Sequence, residues 1–230
     1  MVRQILFTIL ALVPTLAAQN RATGPATTDP AFYAVSYVEV MTASRGAAVA
    51  ALKQYRDMSR KDPGFVSAEV FEQSGRPGHF VVLEKWADQK AFDAHGMAEH
   101  TKQMLSKMDS FRVGSYDQRP YRTLSAGTAP TTANEREIVL VSHVDFAGPQ
   151  FDAPALLRKL VDDSRKDEGN VRFEVLQHAM RLNHFTIVEI WQTEKAHDAH
   201  AASSHKRQFR DTIAPALGSP LDERALKIVN

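Results

Sequence analysis

The chain has no cysteine, and this absence excludes several kinds of chemistry at once. Disulfide scaffolds, thiolate metal sites, iron–sulfur clusters and cysteine nucleophiles all require that residue. Glycine and proline number 11 each among 230 residues, too few for a disordered or collagen-like chain. The 28 basic and 27 acidic side chains give a formal net charge of +1, so no basic field predicts a nucleic-acid partner.

Long hydrophobic runs are missing after the first twenty residues. Ile5 to Val13 is almost entirely apolar, one arginine precedes it, and Pro14 with several small residues follows. This three-part pattern predicts a secretory signal peptide over residues 1–18, with a buried N-terminal helix or an uncleaved anchor as alternatives. The run is too short to span a bilayer comfortably. We therefore expect an exported protein, periplasmic or secreted, with no membrane partner after cleavage.

The most informative feature that is present is an internal repeat at an offset of 105 residues. Residues 59–100 align with residues 164–205 without a gap, and 19 of the 42 positions are identical. Three histidine pairs recur at this offset: His79 with His184, His95 with His200, and His100 with His205. The period is too long for a solenoid unit, so each copy is predicted to be a domain-sized module.

The repeat divides the chain into two modules. We assign residues 32–122 to module 1 and 136–230 to module 2, joined by a linker over 123–135 and preceded by a tether over 19–31. Linker and tether are rich in small residues. In module 1 the patterns predict strand 33–41, helix 44–60, strands 65–72 and 79–86, helices 88–95 and 97–108, and strand 113–122. In module 2 they predict strand 137–146, helix 153–167, strands 170–178 and 183–191, a helix from 193, and strand 223–229.

This order of elements predicts an α+β fold of two ferredoxin-like βαββαβ modules. A single sheet with helices on one face leaves its other apolar face open, and two modules can cover each other's open faces. We therefore expect the modules to pair within the chain as a pseudodimeric α+β barrel. A homo-oligomer of the whole chain remains compatible with this arrangement.

A longer motif links the residues that the two copies share. It reads Glu84-x-Trp86-x-Asp88-x-x-Ala91-x-x-x-His95-x-x-x-x-His100, preceded by Asp62-Pro63-Gly64. The motif resembles the antibiotic biosynthesis monooxygenase (ABM) family, and module 2 repeats most of it. That family includes cofactor-independent oxygenases of aromatic polyketides and quinols, and also haem-degrading enzymes. Its usual assembly is a dimeric α+β barrel, which the tandem repeat supplies here within one chain.

The resemblance implies a function as well as a fold. It implies an exported monooxygenase that oxidises a quinol or another phenolic aromatic with O₂ and needs no cofactor. The partners are then a small aromatic substrate and O₂. The alternative is a non-catalytic small-ligand-binding or scaffold protein of the same fold, because fold alone does not define function. A pocket lined by His95 or Trp86 would favour the enzyme.

Oxygenation without a cofactor needs a base that deprotonates the substrate, and histidine suits this role. His95 and His200 end the short helix, at a position that holds a cavity-lining tryptophan in the haem-degrading branch of the family. They are the predicted catalytic residues, with helix capping as the alternative. His100 and His205 follow five residues later and are predicted to bind substrate. Metal-ligand pairs prefer a spacing of three or four residues, so no metal site is predicted.

Aromatic side chains complete the predicted substrate-binding set. Trp86 and Trp191 close a strand in each module and either stack on a planar substrate or fill the core beneath the helix. Glu84 and Glu189 lie two residues earlier and share their sheet face. An ion pair there is favoured over a role as base.

Tyr37 and His143 are also predicted to bind substrate, at places where the copies differ. At the constant offset, His143 stands opposite Val38 and Tyr37 stands opposite Ser142. Any two pockets are therefore expected to differ, with one site active and the other degenerate as one outcome.

Other cofactors have no support in the sequence. The haem-degrading branch places its axial histidine ten residues after the cavity tryptophan, where this chain has Leu105 and Arg210. Neither residue ligates haem iron. The G-x-G-x-x-G, P-loop, G-x-S-x-G and H-E-x-x-H signatures are also missing, so neither a nucleotide cofactor nor a common hydrolase is predicted.

Overall fold

The computed structural model describes residues 29–127, 133–148 and 152–230. The predicted signal peptide, most of the tether and part of the linker lie outside these residues. Module 1 contains β1 (Phe32–Glu39), α1 (Arg45–Ser59), β2 (Phe65–Gln73), β3 (His79–Trp86), α2 (Gln89–Gly96), α3 (Glu99–Asp109) and β4 (Asp117–Ser125). Module 2 contains β5 (Ile138–Asp145), α4 (Ala153–Ser164), β6 (Asn170–His178), β7 (His184–Trp191), α5 (Glu194–Ala201), α6 (Ser204–Ile213) and β8 (Asp222–Ile228). None of the described helices is long and apolar enough to cross a bilayer.

The eight strands form one closed antiparallel barrel. The order is β4-β1-β3-β2 in module 1 and β8-β5-β7-β6 in module 2, and the two sheets join through β2 with β8 and β4 with β6. The predicted pairing of two ferredoxin-like modules within one chain is confirmed. The sheets meet edge to edge, so their open faces line a common interior and no sheet edge is left unpaired in the described part of the chain.

The barrel interior is a packed apolar core to which both modules contribute. The buried inward-facing residues are Ala31, Tyr33, Val35, Tyr37, Phe71, Val81, Leu83, Tyr121, Ala133, Val139, Val141, Leu176, Val188, Ile190 and Leu226. At one end Arg172 of module 2 contacts Glu69 of module 1 at 2.6 Å and Glu174 at 2.8 Å. The helices cover the outer sheet faces and form a separate helix–sheet core in each module.

Strand β4 lies later in the chain than predicted. It spans Asp117–Ser125 rather than 113–122, and its last residues enter the segment assigned to the linker. Thr123 pairs with Leu176 of β6. The partner strand in the other module therefore extends β4, and this contact has no signal in the local sequence.

The register of the first strands corrects the sequence alignment. In β1, Tyr37 pairs with Val81 of β3, and in β5, His143 pairs with Thr186 of β7. Tyr37 and His143 are therefore structural equivalents at an offset of 106, and the predicted match of Val38 with His143 is wrong. The segment from the first strand to the end of the first helix is one residue shorter in module 2. The offset between the modules is therefore 106 in the first strand and 105 after the first helix.

Candidate active site

His95 is a buried residue between helix and sheet. Asp88 caps the start of α2 by accepting a hydrogen bond from the backbone N–H of Ala91, and the helix ends at Gly96. His95, in its last turn, is 2% exposed. Its ring stacks on Trp86, with the ring centroids 4.3 Å apart. The imidazole therefore faces the protein interior and does not serve as an exposed helix cap.

Asp62 holds one side of the His95 ring. Its Oδ2 lies 2.6 Å from His95 Nδ1 and 3.1 Å from His100 Nε2. Asp62 sits in the loop after α1, where Gly64 has a φ of +80° that favours glycine. A Cβ at Gly64 would lie 2.5 Å from the Cβ of Ala91. The shape of this loop and its close approach to α2 thus set the position of the carboxylate.

Tyr55 of α1 connects the other side of the ring to a buried carboxylate. Its hydroxyl lies 2.6 Å from His95 Nε2 and donates a 2.8 Å hydrogen bond to Glu84 Oε1. Glu84, on β3, is fully buried. Within the described ranges no lysine or arginine pairs with Glu84, but His95 Nε2 on the covering helix lies 3.5 Å from Glu84 Oε1. The ion pair favoured by the sequence therefore forms in module 1 when His95 is protonated.

Burial disfavours the charged form of each of these groups. It raises the pKa of Glu84 to about 7, although the hydrogen bond from Tyr55 acts in the opposite direction. It lowers the pKa of His95 against the opposing effect of Asp62. The pKa of Tyr55 is well above its usual value because of burial and the nearby Glu84. Near neutral pH Glu84 is therefore protonated part of the time, and the Tyr55 hydroxyl connects it to His95.

A cavity of about 140 Å³ adjoins these side chains. His95 and Tyr55 contribute to its wall. The other lining residues are Phe92, Gly96, Thr101, Met104, Leu105, Tyr116 and Gln118. Trp86 is absent from this lining and packs beneath His95. The wall combines apolar side chains with a few polar groups, which is the usual composition of a small-molecule site.

Module 2 repeats the histidine and both carboxylates. His200 Nδ1 lies 2.7 Å from Asp167 Oδ2, and its ring stacks on Trp191 with the ring centroids 4.5 Å apart. His205 Nε2 lies 3.1 Å from the same carboxylate of Asp167. Glu189 is buried in the position of Glu84. The residues that surround this carboxylate differ from those of module 1.

Two replacements change the module 2 site. Leu160 occupies the position of Tyr55, so no hydroxyl bridges His200 and Glu189. Lys206 occupies the position of Thr101, and its buried ammonium lies 2.8 Å from Glu189. Burial favours a higher pKa for Glu189, but Lys206 outweighs it and holds that pKa below the usual value. The carboxylate is therefore fixed in its ionised form.

Tyr37 and His143 lie away from both sites, on the barrel-interior side of the sheet. Tyr55 and Asp62 are near the catalytic candidate but were not predicted as site residues. Asp62 could have been found from the sequence, because it recurs as Asp167 and belongs to the shared motif. Tyr55 could not have been found from the repeat, because the other copy has leucine.

Both sites bring together groups that ligate metals. The candidate ligand atoms of Asp62, His95 and His100 all lie within 4.8 Å of one another. Asp167, His200 and His205 form the equivalent group. The loop carboxylate supplies the third group, which the spacing between the histidines did not indicate. In module 1 the two ring nitrogens of His95 already contact Asp62 and Tyr55. A metal ion would therefore have to bind the same nitrogen atoms that transfer protons.

The fold and the paired sites define a tandem α+β barrel with one helix-covered site per module. A family model described as "Antibiotic biosynthesis monooxygenase" matches residues 31–107 and 152–212, which make up more than half of the chain. The chain belongs to the antibiotic biosynthesis monooxygenase family, as a member with two copies of the domain.

Individual relatives agree with this assignment. The Bacillus subtilis (strain 168) protein named "Putative monooxygenase YcnE" is 31% identical over 65 residues, which cover 28% of this chain and 68% of that protein. A Fusobacterium nucleatum structure described as a "Putative monooxygenase" has a TM-score of 0.77 at 12% identity, covering 89% of this chain and 94% of that one. An "anthrone oxidase-like protein" has a TM-score of 0.65 at 10% identity, covering 88% and 93%. These two structures show a shared fold.

Proposed function

We propose that this chain is a cofactor-independent monooxygenase that oxidises a single-ring phenol or hydroquinone with O₂ in module 1. The observation that carries the proposal is the cavity bordered by both Tyr55 and His95, at the end of a buried proton path to Glu84. A pocket lined by His95 favours an enzyme over a scaffold of the same fold.

The size of the cavity supports a small substrate. Its volume is about 140 Å³, whereas drug-sized ligands occupy pockets of roughly 300–1,000 Å³. An apolar cavity of about 150 Å³ in another protein holds benzene. One aromatic ring therefore matches the available space, and a fused multi-ring polyketide exceeds it.

The proton path supports the activation of a phenol. The substrate hydroxyl gives its proton to the Tyr55 oxygen as Tyr55 passes its own proton to Glu84 or His95. Asp62 then stabilises the imidazolium when His95 holds the proton. The pKa of about 7 at Glu84 suits a general base at neutral pH, because the ionised carboxylate is populated and still binds a proton strongly.

The phenolate that results supplies the electrons for the reaction. It transfers one electron to O₂, and the two radicals combine at a ring carbon to form a peroxide. Loss of water then leaves a carbonyl at that carbon. Hydroquinone and O₂ thus give hydroxybenzoquinone and water, so one oxygen atom enters the ring and the substrate is the only reductant. The path returns the proton that the departing water requires.

Module 2 is proposed to be catalytically silent. The replacement of Tyr55 by Leu160 removes the bridge between histidine and glutamate, and Lys206 keeps Glu189 from accepting a proton near neutral pH. His200 then contributes to folding through its contacts with Asp167 and Trp191.

We also propose that the protein acts after export, on the basis of the N-terminal pattern. Expression of the full chain followed by N-terminal sequencing and cell fractionation tests this. Cleavage near Ala17 or Ala18 with recovery outside the cytoplasm is expected. Retention of Met1 on a cytoplasmic product would contradict it.

Oxygen uptake with a panel of hydroquinones tests the catalytic proposal, and ¹⁸O₂ traces the inserted atom. His95→Gln should lower the rate by about 10²-fold or more, as expected for loss of one group of the acid–base path. The matched change His200→Gln should leave the rate nearly unchanged. An absence of uptake across the panel would favour the ligand-binding alternative, and equal losses in both variants would contradict the assignment to module 1.

A further inference from the structure

A second cluster of polar side chains lies at one end of the barrel, on the inner face of the sheet. We propose that His143, Asp145 and His184 form a binding site for a divalent transition-metal ion. Asp145 Oδ1 lies 2.9 Å from His143 Nε2 and 2.6 Å from His184 Nδ1. The three candidate ligand atoms lie within 4.8 Å of one another. Ligands of a tetrahedral zinc ion are about 3.4 Å apart, given metal–ligand bonds of about 2.1 Å. Small side-chain rotations therefore suffice to admit the ion.

The backbone positions these three residues reliably. Asp145 ends β5 and His184 begins β7, and the two form a cross-strand pair. His143 is two residues before Asp145, so both side chains point to the same face. Residues from two adjacent hydrogen-bonded strands form a more rigid ligand set than residues from a loop.

Outer contacts orient the candidate ligands. Ser219 Oγ donates a 3.2 Å hydrogen bond to the second oxygen of Asp145. His143 Nδ1 lies 3.5 Å from the Thr186 hydroxyl. A bound ion would replace the Nε2 proton that faces Asp145, and the remaining proton on Nδ1, next to Thr186, leaves the Nε2 lone pair for the ion. Metal-ligating histidines are usually held in one tautomer by such a contact at the other nitrogen.

The residue types indicate the class of ion. Two imidazoles and one carboxylate suit Zn²⁺ and its first-row neighbours, whereas Ca²⁺ and Mg²⁺ prefer sites made of oxygen ligands. The three side chains are 13–20% exposed, so the ion has a path from solvent and a fourth position for water. His178 is nearby, but its Nδ1 accepts hydrogen bonds from the backbone N–H groups of Met180 and Arg181. Its proton therefore resides on Nε2, and it does not supply the fourth ligand.

Module 1 provides an internal comparison. His79 Nδ1 contacts Glu39 Oε1 at 3.1 Å, as His184 contacts Asp145. The third position holds Tyr37 instead of His143. The guanidinium groups of Arg119 and Arg224 lie 4.7 and 4.5 Å from the centre of the Tyr37 ring. That surrounding lacks a third ligand, so the site is specific to module 2.

This site is separate from the proposed catalytic centre. It faces the barrel interior, whereas His95 lies between helix and sheet. In the Asp62, His95 and His100 group, both nitrogens of His95 already contact Asp62 and Tyr55. Metal binding and oxygenase activity can therefore be tested independently.

Calorimetric titration of the chelator-treated full chain with Zn²⁺ tests the proposal. We expect one tight site per chain. His143→Tyr, which introduces the residue of module 1, should weaken binding by about 100-fold or more, since loss of an outer partner alone costs roughly 10–100-fold. Asp145→Asn, which keeps the side-chain size, should have a similar effect if His143→Tyr fails to fold. His79→Gln and His95→Gln serve as controls and should retain the site.

Visible absorption of the Co²⁺-loaded protein gives a second readout that does not depend on activity. An intense band typical of four-coordinate Co²⁺ is expected in the wild type and lost in the Asp145 variant. Absence of Zn²⁺ binding by the wild type would overturn the proposal. So would binding that survives both the His143 and Asp145 changes, or that disappears in His95→Gln.

Discussion

The hydroxyl oxygen of Tyr55 lies 2.6 Å from Nε2 of His95, and both side chains are buried. This contact joins α1 to α2, and the same hydroxyl bridges the histidine to the carboxylate of Glu84. The second module repeats the histidine and the carboxylate but has Leu160 in place of the tyrosine. The difference between the two modules is therefore a proton path that is continuous in one and interrupted in the other.

Removal of the Tyr55 hydroxyl should abolish most of the oxygenase activity. In Tyr55→Phe the proton has no route between the substrate and Glu84, and we expect a fall in kcat of about 10²–10⁴-fold. Tyr33→Phe makes the same chemical change in the barrel interior and should leave kcat unchanged. Oxygen-uptake kinetics measure both. A Tyr55→Phe enzyme with nearly normal kcat would show that the hydroxyl carries no proton.

Activity should rise with pH as Glu84 loses its proton. The pKa of Glu84 is raised to about 7, so kcat should increase through neutral pH with the slope of a single group. Glu84→Gln should remove this rise and lower kcat at pH 8. A rise that survives in Glu84→Gln would assign the titration to another group.

The same pKa shift has a consequence for stability. A carboxyl whose folded pKa is raised stabilises the protein fully below its unfolded pKa, and this contribution is lost as pH increases to the folded pKa. The window runs from the ordinary 4.5 to about 7. At about 1.4 kcal/mol per pKa unit, the loss is on the order of 3 kcal/mol. Urea unfolding from pH 4.5 to 8 should show this decline in the wild type and a flatter profile in Glu84→Gln.

Removal of Lys206 alone from the buried ion pair of module 2 should strongly destabilise the protein. Lys206→Met leaves the Glu189 carboxylate buried without its cation, and removal of one partner of such a pair costs about 3–5 kcal/mol. The double variant with Glu189→Gln should recover much of that loss because no charge remains buried. Urea denaturation at pH 7 measures both. If the single variant were as stable as the wild type, Lys206 would not balance Glu189.

The loop that carries Asp62 should not tolerate a side chain at Gly64. Gly64→Ala imposes a strained φ and a 2.5 Å approach to Ala91, so we expect destabilisation above about 1 kcal/mol and a lower kcat through displacement of Asp62. Gly46→Ala is the matched control. Gly46 lies in α1, where an added Cβ would meet no atom within 4 Å, and alanine there should add about 0.5–1 kcal/mol. Thermal unfolding measures the stability of both variants, and a Gly64→Ala variant as stable as the wild type would contradict the prediction.

The parts of the site that follow a local pattern could be predicted from the sequence. His95 recurs at the offset of the repeat and ends a short helix that Asp88 caps, so its place in the helix and its proximity to Trp86 could be predicted from the sequence. The contact of His95 with Asp62 could not be predicted, because 33 residues separate them and only the packing of α2 on the loop brings them together. Nor could the charge state of Glu84 be predicted. It depends on whether a cation reaches the carboxylate, and Lys206 does so in only one module.

By itself, the sequence determined that this protein has two related βαββαβ modules, because hydrophobic periodicity and a long gapless repeat are properties of the chain alone. Tertiary structure decided how the modules join. The pairing of β2 with β8 and β4 with β6 depends on hydrogen bonds between strands far apart in the chain. It also decided which histidine has a proton path. Burial sets the pKa of Glu84, and burial comes from side chains that surround it from several elements.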